Sequence, residues 1–532
     1  MEIIHWPETI TWVLNLLFKN QKMKKHIITT FALGVVLLAG SCKKEFLEQT
    51  DPNAIAVGEY FKSENDVLLA VNGAYQSLRN GNTIGEGSGL FTDERSDDTG
   101  RNDNQSNAGE PFQFNDFSLL PSNSYIRTHW LALYAAISRC NVILSHIDEV
   151  TFTDPDNKAN YAAEAKFIRS LMYFELVRKW GDVPMVTKQL NTVEEVTERT
   201  FRVPEAEVYA QIVADLEDGL NSTLPNLQTA ANAGRVSKAA INAYLGKVYL
   251  TMATTLAENK QEHLQQANTY LLAAYNMKNF GALSEIPYAD VFDVEKKSTN
   301  REVIFEIVNR QGDLNYSSTI AANNQPVGET INSLKVTTGI GGNVKLDLVN
   351  DYELADLRKD FSIKYANAAS VKDWFITKFR DASAAAGVNG YGGNNWILMR
   401  YADVILMLAE VNNLMGNDAA AIQYLNMVRQ RAGMPDYATS RLNPAYSAKY
   451  PTLKLAILHE RRVELAFEHH RWFDLLRAFT PTELVAYFKA KPQASYGIAK
   501  LANISTKDRY YPIPFDEVKL DPVKMKQNPG YE

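Results

Sequence analysis

The densest run of side chains able to do chemistry is HERRVELAFEHHRWFDLLR, residues 459–477, which holds histidines, carboxylates and arginines within a few turns of one another. Two chemistries compete for it: metal binding, or ion pairing that fixes structure. The zinc pattern HExxH fails, because Val463 stands four residues after His459. His469 and His470 are adjacent and cannot share a helix face. Glu460, Glu464 and Glu468 fall four residues apart with Arg461 and Arg462 between them, so the pattern predicts salt bridges along one helix and a network to its neighbours. A second acidic stretch, FTDERSDDTGRNDN, carries Asp93, Glu94, Asp97 and Asp98. It is dense enough for a carboxylate pair or a calcium loop but lacks the ligand order of an EF-hand, and it reads as a solvated acidic loop. No GxSxG, Walker loop, dinucleotide GxGxxG or paired-cysteine site occurs. No enzyme is therefore expected, although two carboxylates brought together in space could still form a glycosidase pair.

These residues need a scaffold, and the chain supplies a large one. Its 532 residues are 45% hydrophobic and 22% charged, ordinary for a folded body. The 55 basic and 62 acidic residues leave a net charge of -7 without long runs, which argues against nucleic acid as a partner. Near the start, Lys24, Lys25 and His26 precede the apolar run Ile27 to Ala39, too short for a membrane span of ~20 residues. Residues 1–41 therefore read as a removed signal region, with Met23 the better start. The run ends in Ala39, Gly40, Ser41 and Cys42, which resembles a bacterial lipobox and marks Cys42 for lipidation; cleavage at a nearby small-residue site is the alternative. A lipidated Cys42 leaves Cys140 without a disulfide partner, as a small buried apolar residue on a helix.

Beyond the leader, helical periodicity dominates. YAAEAKFIRSLMYFELVRKW, RVSKAAINAYLGKVYLTMA and HLQQANTYLLAAYNM each show an apolar face, and YADVILMLAEVNNLMG with DAAAIQYLNMVRQRAG forms a helical pair across a short turn that looks like a tetratricopeptide hairpin. EVIFEIV and WILMRYA suggest short strands. Long polar loops cover 80–124, 310–343 and 381–395. The class is mainly α, a tetratricopeptide-like helical-repeat superhelix with long loops and a few short β strands. In the tail YPIPFDEVKLDPVKMKQNPGY, Pro512, Pro514, Pro522 and Pro529 predict turns clasped to the body.

Taken together and in order, AEAKFIRSLMYFELVRKWGDVPMV, GRVSKAAINAYLGKVYL, REVIFEIV, RYADVILMLAEVNNLMG, LNMVRQRAG, ERRVELAFEHHRWFDLLR and the tail resemble the RagB/SusD family of Bacteroidetes outer-membrane nutrient-binding lipoproteins. The resemblance implies an N-terminal helical part over 42–300 and a C-terminal part over 301–532, packed as one body. It implies a surface-exposed lipoprotein, held to the outer membrane by its lipid, that binds oligosaccharides or peptides and acts as the lid of a SusC-like TonB-dependent transporter. A surface glycoside hydrolase and a structural lid without ligand specificity are the alternatives. No cofactor is implied, and the residues leave open only a structural calcium ion.

Sugar capture asks for aromatic rings to stack on sugar faces and for polar neighbours to bond the hydroxyls. Loops that combine both supply Phe91, Asp93, Arg95, Phe112, Phe114, Tyr316, Tyr391 and Trp396 as the candidate ligand-binding residues. That choice rests on residue chemistry and loop position alone.

Overall fold

Local capping decides where the helices begin in the computed structural model, which describes residues 60–100, 109–334, 344–368, 371–492 and 500–532. Helix α1 (Glu64–Leu78) opens on a reciprocal cap, in which the Ser63 side chain accepts from Asp66 N–H and the Asp66 carboxylate accepts from Ser63 N–H at 2.8 Å. Asn123 caps α2 (Ser124–His146), and Asp154 caps α3 (Pro155–Trp180), where proline takes the first position at no cost in hydrogen bonds. Gly181, with φ of 70°, ends α3 in a conformation that L side chains rarely adopt. The body continues through α4 (Glu205–Leu220), α5 (Lys238–Thr255), α6 (Lys260–Asn276), α7 (Tyr401–Leu414) and α8 (Asp418–Arg431). Each of these helices packs against its successor in the chain, the layering that a helical repeat requires. Helix α5 is buried on nearly every side. Its Gly246 is a point of close approach, since a Cβ there would lie 2.4 Å from Leu271 Cγ on α6.

The strands are short and antiparallel: β1 (Val183–Pro184) pairs with β2 (Arg202–Val203), β3 (Val303–Ile307) with β6 (Trp396–Arg400), and β4 (Ile363–Ala368) with β5 (Val371–Ile376). In the β3–β6 pair, which EVIFEIV and WILMRYA foretold, Val303 faces Arg400 and Ile307 faces Trp396.

The charged run 459–477 corrects one expectation. It is not a single helix: α9 (Leu453–Glu464) stops, the chain turns through Phe467 (φ 65°) and His469 (φ 63°), and α10 (Arg471–Ala478) restarts. Nor do its glutamates pair with Arg461 and Arg462. Glu460 accepts from Arg358 (2.7 Å) and Arg429 (2.9 Å). Glu464 accepts from Arg400 (2.6 Å), Arg358 (3.0 Å) and Arg431, and Glu468 from Arg400 (2.7 Å) and Lys378 (2.6 Å). The arginines of α9 reach outward instead, Arg461 to Asp403 (2.8 Å) and Asp474 (3.0 Å), Arg462 to Asp98 (2.7 Å) and Asp351 (3.1 Å). Burial explains the difference: at this depth a carboxylate needs more than one cation, and a neighbour on the same helix supplies only one. Burial alone would raise Glu464, yet Arg431, Arg400 and Arg358 hold it well below the usual carboxylate range. His469 and His470 are pushed down to about 3, first by burial, and stay neutral.

The acidic stretch is not solvated either. Asp97 meets Arg471 at 2.7 Å and Lys491 at 3.0 Å, and Asp98 meets Arg462, so the stretch is drawn inward by cations from the far end of the chain. The tail clasps α3 as expected: Trp180 Nε1 donates to Pro512 O (2.9 Å), and Asn528 Nδ2 donates to Trp180 O (3.0 Å) and Tyr511 O (2.8 Å). Cys140 is fully buried with its thiol pushed up to about 12 by desolvation, while Cys42 lies outside the described residues.

Candidate functional site

A polar cavity of ≈ 390 Å³ opens where five parts of the chain converge. The end of α1 brings Gln76, Ser77, Arg79 and Asn80; the turn after it brings Gly85 and Glu86; α2 contributes Arg139; β3 and the loop beyond it supply Ile307, Asn309, Asn315 and Ser317, with Trp396 at the wall. Arg79 is fixed by its own neighbours: Nη1 donates to Val308 O and Nη2 to Asn309 Oδ1, both at 2.6 Å. Its guanidinium lies 5.2 Å from the centre of the Tyr316 ring, which is 49% exposed. Asp313 Oδ1 orders that loop by accepting from Asn315 N–H (2.8 Å) and Tyr316 N–H (3.1 Å). Arg139 donates through Nη1 to Ser77 Oγ at 2.9 Å and to Gly73 O at 3.3 Å.

Glu86 completes the wall. Its Oε1 accepts from Thr319 N–H (2.7 Å) and Thr319 Oγ (3.1 Å), while its buried Oε2 has no partner. Burial raises its carboxyl above the usual range. The cavity thus combines four carboxamides, two guanidinium groups and an unused buried acceptor beside an exposed ring, a set that suits a ligand rich in hydroxyl groups.

The structure divides the eight sequence candidates. Tyr316 lies between the lining residues Asn315 and Ser317 with its ring beside Arg79, and Trp396 forms part of the wall, although Trp396 is buried and spends its Nε1–H on Ile84 O at 3.0 Å. Tyr391 is half-buried and holds the Tyr316 loop through its carbonyl, which accepts from Gly312 N–H at 2.9 Å. Phe112 is half-buried on a short helical turn away from the cavity lining. The remaining four belong to the interior, so their proposed role as loop contacts is corrected. Phe91 stacks on His129 at 3.9 Å, Phe114 packs edge-on to Phe91 at 5.5 Å, and Asp93 is buried with its carboxyl raised by desolvation and by Asp98. Arg95 pairs with Asp508 at 2.9 Å among Phe117, Trp472 and Tyr511. A ring or charge enclosed on all sides has no face to offer a sugar. Arg79, Asn80, Glu86, Arg139, Asn309 and Asn315 were missed, because on helix ends and loops they look like any solvated residue until the fold gathers them.

Two other features bear on the assignment. A larger cavity of ≈ 540 Å³ lies among α5, α7, α9 and α10, but its ring, Phe479, is stacked on Tyr487 at 4.9 Å and its buried arginines serve Asp474, Asp403 and Glu410. Glu353, His459 and Glu460 come close enough to hold a metal ion, yet Glu460 already serves Arg358 and Arg429, and Glu353 meets Arg429 at 2.7 Å.

Comparison with known proteins follows the same outline. The SusD family model matches residues 267–531, and a second, described as starch-binding and associating with the outer membrane, matches residues 45–250. SusD-like protein P2 of Formosa agariphila is 27% identical over 543 residues, covering 96% of this chain and 100% of that one. A laminarin-binding SusD-like protein of known structure aligns with a TM-score of 0.70 at 25% identity, over 88% of this chain and 100% of its own. B. fragilis NanU aligns with a TM-score of 0.72 at 22% identity, over 91% and 100%, a likeness that speaks for the mainly helical fold.

Proposed function

The chain belongs to the SusD/RagB family, and from that premise we propose that it captures glycans at the cell surface in the cavity between Arg79 and Tyr316. The observation that carries this reading is the convergence, on ≈ 390 Å³, of the side chains of Gln76, Asn80 and Asn315 and the free oxygen of Glu86, beside the half-exposed Tyr316 ring that lies over Arg79. Rings of this kind take the apolar face of a sugar while carboxamides bond its hydroxyls. The laminarin-binding relative supports a glycan over a peptide. Capture needs no bond to be broken.

The cellular setting completes the proposal. Lipid on Cys42 anchors the protein to the outer membrane with its body outside, where it closes as a lid over a SusC-like TonB-dependent transporter that performs the import. A glycan array followed by calorimetry and product analysis tests the capture role. Binding without cleavage, weakened in Tyr316→Ala, is expected. Cleaved products would make the protein a hydrolase, and silence across the array would leave specificity with the transporter. Cys42→Ser tests the anchor separately, since it should release the protein from the membrane fraction.

A further inference from the structure

We propose that this cavity selects acidic glycans, sugars bearing a carboxylate or a sulfate ester, and that Arg79 and Arg139 recognise the anionic group. The inference rests on the capture reading above and adds to it the class of sugar. Its basis is a contrast in how arginines are used. The buried guanidinium groups of Arg358, Arg400, Arg429 and Arg462 each touch at least one carboxylate within 2.9 Å. Arg79 and Arg139 touch only neutral oxygens: Val308 O and Asn309 Oδ1 for the first, Ser77 Oγ and Gly73 O for the second. Neither has a carboxylate within ion-pair distance among the described residues.

The nearby acids do not fill that role. Glu86, the one carboxylate in the cavity wall, is turned to Thr319 and is disfavoured as an anion by its burial. Asp313 accepts from the backbone of Asn315 and Tyr316 and shares its charge between Arg310 and Arg79. Arg79 thus feels Glu86 and Asp313 without an ion pair to either, and Arg139 lines the polar cavity with no carboxylate partner among the described residues. A guanidinium offers parallel N–H groups spaced for the paired oxygens of a carboxylate or sulfate. Arg139 is exposed and bonds the described residues through Nη1, which leaves Nε and Nη2 for that use. Arg79, pinned by two short bonds and by the Tyr316 ring, is set in place before the ligand arrives. A neutral sugar offers the same two cations hydroxyl acceptors but no charge to offset their desolvation.

The test is an array carrying neutral, uronate-containing and sulfated glycans on shared backbones, probed with the full-length protein in detergent and followed by calorimetry. Hits confined to acidic members, at least about tenfold tighter than their neutral counterparts and weakened at high salt, are expected. Uronates and sulfates binding separately would identify the source of the charge. Arg139→Gln should weaken acidic ligands about tenfold, Arg139→Lys should restore part of the loss, and melting should not move, because the side chain is exposed. Neutral glycans binding as well as acidic ones, or an Arg139→Gln variant with unchanged affinity, would overturn the acidic class and leave the capture reading intact. Failure of every glycan to bind would overturn both.

Discussion

Arginines around α9 and arginines around the cavity are the same residue put to opposite ends. Arg400 is 1% exposed and lies within 2.8 Å of Glu302, Glu464 and Glu468 at once. Arg139 is exposed and, among the described residues, bonds only Ser77 and Gly73. In the first region each charge cancels another, so the ions hold α9, β3, β6 and α8 in one arrangement and have nothing left for a ligand. In the second the charge is left over. Composition and sequence spacing cannot tell the two apart; the oxygen that meets the guanidinium does.

The hardest blow to this contrast falls in the network. Arg400→Ala would take one cation each from Glu302, Glu464 and Glu468 in the interior, an expected loss of roughly 3–5 kcal/mol, a large share of ordinary stability. Urea unfolding reads it, and a variant melting within a degree or two of the parent would show that the network is dispensable. Acid attacks the same place. Glu468 and Asp474 are both held at about 2 against burial, by Arg400 and Lys378 in one case and by Arg461 and Arg477 in the other. Carboxylates so depressed stabilise the fold above their unfolded pKa of about 4 and lose that contribution as pH falls through the folded value. Circular dichroism should therefore show unfolding begin below about pH 4.

Glu306 gives a smaller effect of opposite sign. Burial pushes its carboxyl up to about 7, so its contribution is full below the unfolded value near 4 and disappears as pH rises through 7. Glu306→Gln should be more stable than the parent at pH 8 by about 1–3 kcal/mol and indistinguishable from it near pH 4. Equal pH slopes in parent and variant would refute a neutral buried Glu306.

In the cavity the expected loss is in binding, with the fold untouched. Tyr316→Ala should weaken glycan affinity about tenfold, ~1.4 kcal/mol, and shift stability by no more than ~0.5 kcal/mol. Calorimetry and melting separate the two, and a destabilised variant with normal binding would reverse the assignment. The smallest effect is a control: Arg127 meets Asp516 at 2.7 Å with both side chains about half exposed, and Arg127→Ala should cost under ~0.5 kcal/mol.

How far the sequence could be read follows from the same physics. Helices with a continuous apolar face, such as those in RVSKAAINAYLGKVYLTMA and YADVILMLAEVNNLMG, form where periodicity placed them, and β3 and β6 lie where β-branched and aromatic residues cluster. The break between Glu464 and Arg471 escaped notice because nothing but the left-handed turns at Phe467 and His469 marks it, and neither residue favours them. Asp97 and Asp98 looked solvated because Arg462 and Arg471, the cations that bury them, lie at the other end of the chain. The candidate site was legible only in Tyr316 and, as wall, Trp396. Arg79 and Asn309 meet across 230 residues, and no local pattern carries such information.

The clasp of the tail on α3 has a consequence for how the molecule comes into being. Residues Tyr511, Pro512 and Asn528 supply the bonds that close over Trp180, and the last two follow it in the chain by 332 and 348 residues. Until they arrive, the indole N–H has no acceptor and the end of α3 stays uncovered. Tertiary closure is thus withheld from the growing chain until this distant segment has been made. A product cut short before Tyr511 would keep that gap permanently, and a protease would find it there.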